Sequence, residues 1–326
     1  MRRIPGHTLA IIALVGVLVA TLIGVALFVK SADQNGKFAA PLDVRPDAVA
    51  SKQLAAARDQ LPPKEQKLLA KLAQQPTAVW IAGPARTVRE SVSHEVSGAR
   101  DRGAVSTLVA YNIPLRDCGS HSASGELVDA DSYRNWVGEF VEGLGDERAI
   151  IIVEPDAIAQ WNCLSASEQV ERAELLRFAV ERLAKQGSWV YLDAGHAGWL
   201  DPRDAADRLA ASGVEKATGF ALNVSAFNNT SREIAYGTEI SANLGSKTPF
   251  VVDSSRNGGS VEPGDWCNPD GAALGQPPTL DTGSELVDAL LWVKTPGNSD
   301  GPCNGGPRAG EWFMDYALTL ARRADW

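Results

Sequence analysis

The sequence predicts an α/β protein built on a distorted seven-stranded parallel β/α barrel, TIM-like in architecture, with an N-terminal transmembrane or signal helix in front of it. Three observations support this prediction. Short runs of β-branched and apolar residues recur along the chain, stretches of helical length separate most of them, and a long uncharged apolar run lies near the N-terminus. Apolar strands that alternate with helices are typical of a parallel sheet covered on both faces.

The N-terminal apolar run extends from Thr8 to Val29 without a charged residue, and two arginines precede it. Its length is close to the ~20 residues that a helix needs to cross a bilayer. A secretory signal has a shorter apolar core and a small-residue cleavage site, so the run favours an uncleaved signal-anchor over a cleaved signal peptide. The arginines would stay in the cytoplasm. We therefore predict a signal-anchor over 1–30, a stalk over 31–41 and a catalytic domain over 42–326 at the extracellular face of the membrane, or secreted if the helix is cleaved.

Seven strands and several helices are predicted beyond the stalk. The strands are Ala78–Ile81, Thr107–Tyr111, Ala149–Val153, Trp189–Leu192, Phe220–Val224, Phe250–Val252 and Leu290–Val293. The helices include Asp47–Gln60, Pro63–Gln74, Tyr133–Leu144, Ser165–Lys185 and Pro202–Ala211. Seven strands fit a closed barrel better than an open sheet. A dinucleotide-binding fold loses its main support, because no Gly-x-Gly-x-x-Gly follows the first strand.

The four cysteines all lie in the exported part of the chain. An even number of cysteines in an oxidising compartment predicts two disulfides. Three pairings are possible, and the one that joins neighbours in sequence, Cys118 with Cys163 and Cys267 with Cys303, is favoured. A structural zinc site is the alternative, but no pair has the close Cys-x-x-Cys spacing of such sites.

Polar residues cluster just after the predicted strands. In β/α barrels, catalysis takes place on the loops at the carboxyl ends of the strands, so these residues would meet at one rim. They are Asn112, Arg116, Asp117, Glu154, Asp156, Asp193, His196, Asn223, Asp253, Arg256, Lys294 and Asp300. A single aspartate at a strand end is commonly a helix cap or a turn residue. Five of them together indicate a site.

Several other chemistries fit the sequence poorly. A net charge of -9 argues against a nucleic-acid partner. The pattern Gly-x-Ser-x-Gly occurs at Gly297 to Gly301, but glycines and prolines follow the serine where a nucleophile elbow needs a helix, and no histidine lies beyond His196. The four histidines are scattered and no phosphate-binding Gly-rich loop is present, so we expect no metal and no cofactor. Acid–base catalysis by carboxylates remains.

The chain contains nine tryptophans. Those near predicted strand ends are Trp80, Trp161, Trp199 and Trp266. Indoles can cover the C–H faces of sugar rings, and we expect Trp199 and Trp266, in loops, to do so. Trp189 and Trp292 lie inside predicted strands and are expected in the core. Glycoside hydrolysis needs one protonated carboxyl group and a second carboxylate, which the acidic rim can supply.

Five sequence blocks resemble glycoside hydrolase family 6, the inverting cellulases built on a distorted seven-stranded barrel. The blocks are Tyr111-Asn-Ile-Pro-Leu-Arg-Asp-Cys118, Val153-Glu-Pro-Asp156, Tyr191-Leu-Asp-Ala-Gly-His-Ala-Gly-Trp199, Val252-Asp-Ser-Ser-Arg-Asn-Gly258 and Trp292-Val-Lys-Thr-Pro-Gly-Asn-Ser-Asp300. They occur in the family's order, and the resemblance covers about Thr77 to Trp326. The family's disulfide pairing agrees with the pairing favoured above.

The resemblance implies a role for each matching residue. Asp156 is similar to the general acid, Asp117 to the aspartate that raises the pKa of that acid and helps to relay a proton, and Asp300 to the proposed base. The resemblance also implies that Tyr111, Arg116, His196, Trp199, Trp266 and Lys294 bind or orient the substrate. Trp80, Asp193, Asn223 and Asn298 are further candidates for substrate binding. Tyr111 would press on the distorted sugar, and Arg116 would orient Asp117. Two positions depart from the pattern, since Asn298 replaces a common glutamate and Ala226 a common asparagine.

The expected function is an inverting endo-β-1,4-glucanase that acts on cellulose or a related β-glucan. Little of the chain between the paired cysteines remains to roof a tunnel, which predicts an open cleft. Two alternatives stay open: a non-catalytic or weakly active glucan-binding envelope protein, and a hydrolase of a different envelope β-glucan. The expected partners are a polysaccharide substrate and, through the N-terminal helix, the membrane. We expect a monomer.

Overall fold

The computed structural model describes residues 37–38, 40–119 and 129–325. The chain divides into two compact units, residues 1–40 and 41–326, and all helices and strands described below belong to the second unit. The predicted signal-anchor and most of the predicted stalk lie outside the described residues. Within the described ranges, no helix has both the length and the apolar character that crossing a membrane requires.

Strands and helices alternate along the second unit. The strands are β1 Val79–Ile81, β2 Thr107–Ala110, β3 Ile150–Val153, β4 Trp189–Asp193, β5 Gly219–Leu222, β6 Phe250–Asp253 and β7 Val287–Leu291. The α-helices are α1 Val49–Ala57, α2 Pro63–Ala73, α3 Ala85–Asp101, α4 Ala130–Leu144, α5 Ala166–Gln186, α6 Pro202–Ala211, α7 Thr230–Asn243 and α8 Met314–Arg323. Short 3-10 helices cover Arg116–Gly119, Ala159–Cys163 and Val214–Lys216.

The seven strands form one parallel sheet in sequence order, from β1 to β7. In the described part of the chain, no ladder joins β7 to β1. Instead, the Ala78 N–H donates to the Trp292 carbonyl at 3.0 Å, and the Trp80 indole N–H donates to the Val293 carbonyl at 2.9 Å. Because all strands run the same way, their carboxyl ends, and the loops that follow them, meet at one edge of the sheet.

The α5 helix shows how local sequence sets the elements that support this edge. Ser165 caps its N-terminus, and Ser165 and Glu168 form a reciprocal capping box. Gly187, at a φ of 104°, ends it in the left-handed conformation that glycine adopts at low cost. Leu176 and Val180 are fully buried on the face that packs against the sheet core.

The strand predictions need two corrections. The last strand is Val287–Leu291 instead of Leu290–Val293, because Asp288 interrupts the apolar run in the sequence while its carboxylate accepts the Tyr191 hydroxyl at 2.7 Å. The fifth strand ends at Leu222, since Asn223 turns the chain at a φ of 64°.

The disulfides and the core tryptophans agree with the predictions. Cys118 is bonded to Cys163 and Cys267 to Cys303, with Cα atoms 6.0 and 6.1 Å apart. Trp189 and Trp292 are buried.

Candidate active site

The loop after β2, residues 111–119 (the β2 loop), carries Tyr111 and Asp117. The Tyr111 hydroxyl donates to Asp117 Oδ2 at 2.9 Å, and Asp117 is buried. The Arg116 guanidinium lies 4.4 Å from the centre of the Tyr111 ring and donates to the Tyr111 carbonyl. Arg116 therefore contacts Tyr111, and the Tyr111 hydroxyl binds Asp117.

The loop after β3, residues 154–163 (the β3 loop), carries Asp156 at a φ of 70°. Its backbone N–H donates to Asp193 Oδ1 at 2.9 Å. Burial and the negative charge of Asp117 raise the pKa of the Asp156 carboxyl to about 7, while the positive charge of Lys294 opposes this shift. Asp156 can therefore hold a proton near neutral pH, as a general acid must.

Asp193 lies at the end of β4, directly beneath this loop. Its Oδ1 accepts the N–H groups of Asp156 and Gly195, whereas its Oδ2 has no hydrogen-bond partner among the described residues. Burial, followed by the charge of Asp156, raises the pKa of Asp193 well above its usual range. The side chain is 1% exposed, so the prediction that Asp193 binds the substrate needs correction: its carboxylate holds the backbone of Asp156 and Gly195 instead.

Asp300, in the loop of residues 292–313 after β7 (the β7 loop), has the opposite surroundings. Its Oδ2 accepts Arg256 Nη1 at 2.7 Å and the Asn268 N–H at 3.0 Å, and its Oδ1 lies 3.1 Å from Lys294 Nζ. Burial favours the neutral form, but the charges of Arg256 and Lys294 outweigh it and lower the pKa of Asp300. The surroundings of Asp300 therefore favour its ionised form in the same site where those of Asp156 favour the protonated form.

These contacts bring the three predicted catalytic aspartates together. The charge of Asp117 acts directly on Asp156, and so does that of Lys294, which pairs with Asp300. Asp253, at the end of β6, fixes the Lys294 segment from below, since its carboxylate accepts the N–H groups of Ser225, Ser255, Val293 and Lys294 at 2.9–3.3 Å.

The aromatic residues predicted for substrate binding differ in their exposure. Trp199 and Trp266 are exposed by 38% and 53%, and His196 contacts Trp199 with ring centres 5.1 Å apart. Trp80 packs edge-on against the Tyr111 ring at 5.0 Å.

Two amide residues differ from each other in their surroundings. Asn298 is half-buried, and its backbone pairs with Trp312. The prediction that Asn223 offers its side chain to a substrate needs correction. Asn223 is 0% exposed, its amide donates to the carbonyls of Asn228 and Asp253, and its Oδ1 accepts the Asn228 N–H, so it holds loops together.

Ser299, the serine of the Gly-x-Ser-x-Gly pattern, is fully buried. Its hydroxyl lies within hydrogen-bond distance of the carbonyls of Gly301 and Pro307, at 3.0 and 2.9 Å, and accepts the Asn268 amide at 3.1 Å. This hydroxyl shapes the β7 loop and is closed off from any substrate.

Sequence reasoning missed several supporting residues on helices and loops, notably Arg172, Asn228, Glu233 and Asn268. Glu233, on α7, accepts the Ala197 N–H and the Asn228 amide, and burial raises its pKa to about 7. A signal was present for two of them. Glu233 lies one helical turn before the buried Tyr236, and Arg172 one turn before the buried Leu175 and Leu176, so both charges occupy an apolar helix face.

Comparisons with known proteins agree with this geometry. The family model for glycosyl hydrolases family 6 matches residues 40–324. Endoglucanase A of Cellulomonas fimi is 44% identical over 264 residues, which is 80% of this chain and 57% of that protein. Endoglucanase 1 of Streptomyces halstedii is 37% identical over 260 residues, 77% of this chain and 79% of that protein.

A solved structure gives the same result. The endoglucanase Cel6 of Mycobacterium tuberculosis, in complex with methyl-cellobiosyl-4-deoxy-4-thio-β-D-cellobioside, is 41% identical and superposes with a TM-score of 0.81, covering 87% of this chain and 97% of that one. The family model spans most of the sequence, and the two curated relatives align with 80% and 77% of this chain, although the alignment covers only 57% of the Cellulomonas fimi protein. The chain belongs to the glycosyl hydrolases family 6.

Proposed function

We propose that the protein is an inverting endo-β-1,4-glucanase that hydrolyses internal bonds of cellulose or a related β-glucan. The observation that supports this most is the pair of opposite protonation states in one site. Burial and Asp117 keep a proton on Asp156, and Arg256 and Lys294 keep Asp300 ionised. A glycosidase needs this combination of one acid and one carboxylate, and inversion is proposed from the family to which the chain belongs.

In the proposed reaction, Asp156 donates its proton to the glycosidic oxygen as the bond to the anomeric carbon breaks. A water molecule attacks that carbon from the opposite face of the sugar, which inverts its configuration. Asp300 receives the proton of this water, with Asp117 as the relay. Tyr111 contacts the sugar at the cleavage point and, through its hydroxyl, orients Asp117.

Substrate binding is assigned to the exposed indoles and to the polar groups around them. Trp199 and Trp266 would cover sugar faces, and Lys294, His196 and Asn298 would bind hydroxyls. Relatives that are 36–44% identical are named endoglucanases, whereas those named exoglucanase or cellobiohydrolase are 29–31% identical, which favours internal cleavage. Part of the segment between Cys118 and Cys163, on which the open-cleft prediction depends, lies outside the described residues.

We further propose that the enzyme is exported and held at the outer face of the membrane by the apolar run from Thr8 to Val29, and that it acts as a monomer. Two disulfides suit an oxidising compartment. Membrane fractionation of the full chain tests the anchor, which would be refuted by recovery of the intact, uncleaved chain in the soluble fraction.

The test of the function is hydrolysis of carboxymethylcellulose and a panel of other β-glucans, with the Asp156→Ala variant measured beside the wild type. We expect internal cleavage with α-anomers released first in proton NMR, and a loss in turnover of about 10²–10⁴-fold in the variant. Asp207→Ala, an exposed aspartate of α6, serves as the control. Release of β-anomers first, or full activity of the Asp156→Ala variant, would contradict the proposal. Glucan binding without cleavage would indicate a non-catalytic binding protein.

A further inference from the structure

Buried side chains beneath the site join the two loops that carry the proton-transfer pair. The β2 loop carries Asp117 and the β3 loop carries Asp156. Above them, the Cys118–Cys163 disulfide and a 3.5 Å contact from Gln160 Nε2 to Asp117 Oδ1 link the loops near the surface. The interior contacts act on the backbone close to the two carboxyl groups.

Arg172 makes the most direct of these contacts. It lies on α5, is 4% exposed and touches both loops. Its Nη2 donates to the Pro114 carbonyl at 2.8 Å and its Nη1 to the Ala157 carbonyl at 3.1 Å. Pro114 is three residues before Asp117, and Ala157 directly follows Asp156. A guanidinium is planar and rigid, so two bonds from one group fix the separation of two backbone positions.

A second set of contacts runs in the opposite direction, from a side chain of the β3 loop to the backbone of the β2 loop. The Glu154 carboxylate, in the β3 loop, accepts the N–H groups of Asn112 and Ile113 in the β2 loop at 2.9–3.0 Å, and the Tyr133 hydroxyl at 3.0 Å. Glu154 and Arg172 attract each other in the interior. A buried cation with a nearby anion and bonded donors is tolerated, whereas an unpaired one is costly.

We propose that Arg172 is a positioning residue that sets the separation of Asp117 and Asp156. The inference rests on the proposed function for its kinetic readout, and on the contacts above for its geometry. Arg172 donates to the carbonyl of Pro114, near Asp117, and to that of Ala157, next to Asp156. It contributes to catalysis through the distance that these two bonds set between the two carboxyl groups.

A role of Arg172 in spacing the two carboxyl groups and a role as a nearby positive charge predict opposite shifts of the pH–rate profile, which makes the inference testable. If Arg172 acted only as a nearby cation, its removal would leave the carboxyl groups more easily protonated, and the alkaline limb of the pH–rate profile would move to higher pH. Lysine would preserve that cation. If Arg172 sets the spacing, its loss lets Asp117 move away from Asp156, and the limb moves to lower pH. Lysine cannot bridge both carbonyls in the guanidinium geometry, so it should fail as well.

The experiment compares Arg172→Lys and Arg172→Met with Arg177→Met, a control on the same helix whose guanidinium donates to a single carbonyl, that of Ala211. In both Arg172 variants we expect kcat to fall on the order of 10–100-fold with little change in KM, because small misplacements of reacting groups have effects of that size. The alkaline limb should move to lower pH in both and stay in place in the control. An unchanged limb in Arg172→Lys, or an upward shift in Arg172→Met, would overturn the inference.

Two further measurements do not depend on turnover. Carbon-13 NMR of labelled aspartate titrates Asp156 directly, and its midpoint should fall in Arg172→Lys even if no glucan is cleaved. An inactive wild type would therefore refute the proposed function without deciding the role of Arg172. If neither variant folds, nitrogen-15 NMR of the wild-type guanidinium decides, because hindered rotation with slow proton exchange supports the two bonds and free rotation contradicts them.

Discussion

On one side of the site, Asp156 is buried and lies near the negative charge of Asp117. On the other side, Asp300 forms ion pairs with Arg256 and Lys294. The same type of side chain therefore has a raised pKa in the β3 loop and a lowered pKa in the β7 loop. Two aspartates with separated pKa values are what acid–base catalysis requires, and the neighbours of each group, more than its depth, produce the difference.

The largest expected effect concerns the cation side. Arg256→Met removes a buried partner of Asp300, whose side chain is 7% exposed, and leaves that carboxylate partly uncompensated. We expect the free energy of unfolding to fall by about 3–5 kcal/mol. Denaturant unfolding measures it, with Arg323→Met as control, because the Arg323–Asp270 pair is exposed and screened by water and should contribute far less. Equal losses in the two variants would contradict the distinction between the buried and exposed pairs.

An intermediate effect is expected on the carboxyl side. Asp156 works only while protonated, so activity falls on the alkaline side as it loses its proton. Asp117→Asn removes the negative charge that helps raise the pKa of Asp156, while burial remains. The alkaline limb of kcat/KM should therefore move to lower pH, on the order of one unit. The measurement is a pH profile on a soluble glucan, with Asp207→Asn as the matched control. A limb that stays in place would assign the shift to burial alone.

The smallest effect concerns the backbone of the two sides. In the β7 loop, most positive-φ positions are glycines, namely Gly297, Gly301, Gly305 and Gly310, and the exception is Asn304, a residue type that tolerates this conformation. The β2 loop instead has Leu115 at a φ of 57° with a side chain that is 51% exposed. Leu115→Gly relieves the left-handed strain and loses some chain entropy, for a net gain in unfolding free energy of less than about 1 kcal/mol. Leu115→Ala keeps the Cβ atom and should show no gain in thermal unfolding. A glycine variant less stable than the alanine variant would show that the loop carries no strain there.

Much of the fold and of the site could be predicted from the sequence. Apolar strand runs gave the strand number and order, and the five motif blocks gave the family, which the comparisons confirm. The start of β7 could not be found, because Asp288 breaks the apolar pattern and its partner, Tyr191, lies on a strand 97 residues away. A local pattern contains no information about a contact of that range.

Supporting residues were harder to predict than the residues that we propose to react. Asp156 and Asp300 lie in motifs that follow predicted strands, and this position is typical of site residues in a β/α barrel. Asn223 also follows a strand, yet its amide donates hydrogen bonds to backbone carbonyls of neighbouring loops. Only the three-dimensional structure shows these contacts. Arg172 sits on a helix among leucines, and its partners are carbonyl oxygens, which every residue has. The sequence could predict that the Arg172 side chain is buried but not that it binds the carbonyls of Pro114 and Ala157.

The Cys118–Cys163 bond has a consequence for the denatured chain. It links residues 45 positions apart, one next to Asp117 and the other at the end of the segment that follows Asp156. Without reduction, an unfolded molecule still keeps these two segments as neighbours, and a chain-entropy treatment gives about 4 kcal/mol for closing a ring of this size. In the oxidised chain, the two acidic loops therefore stay near each other even when no strand is formed.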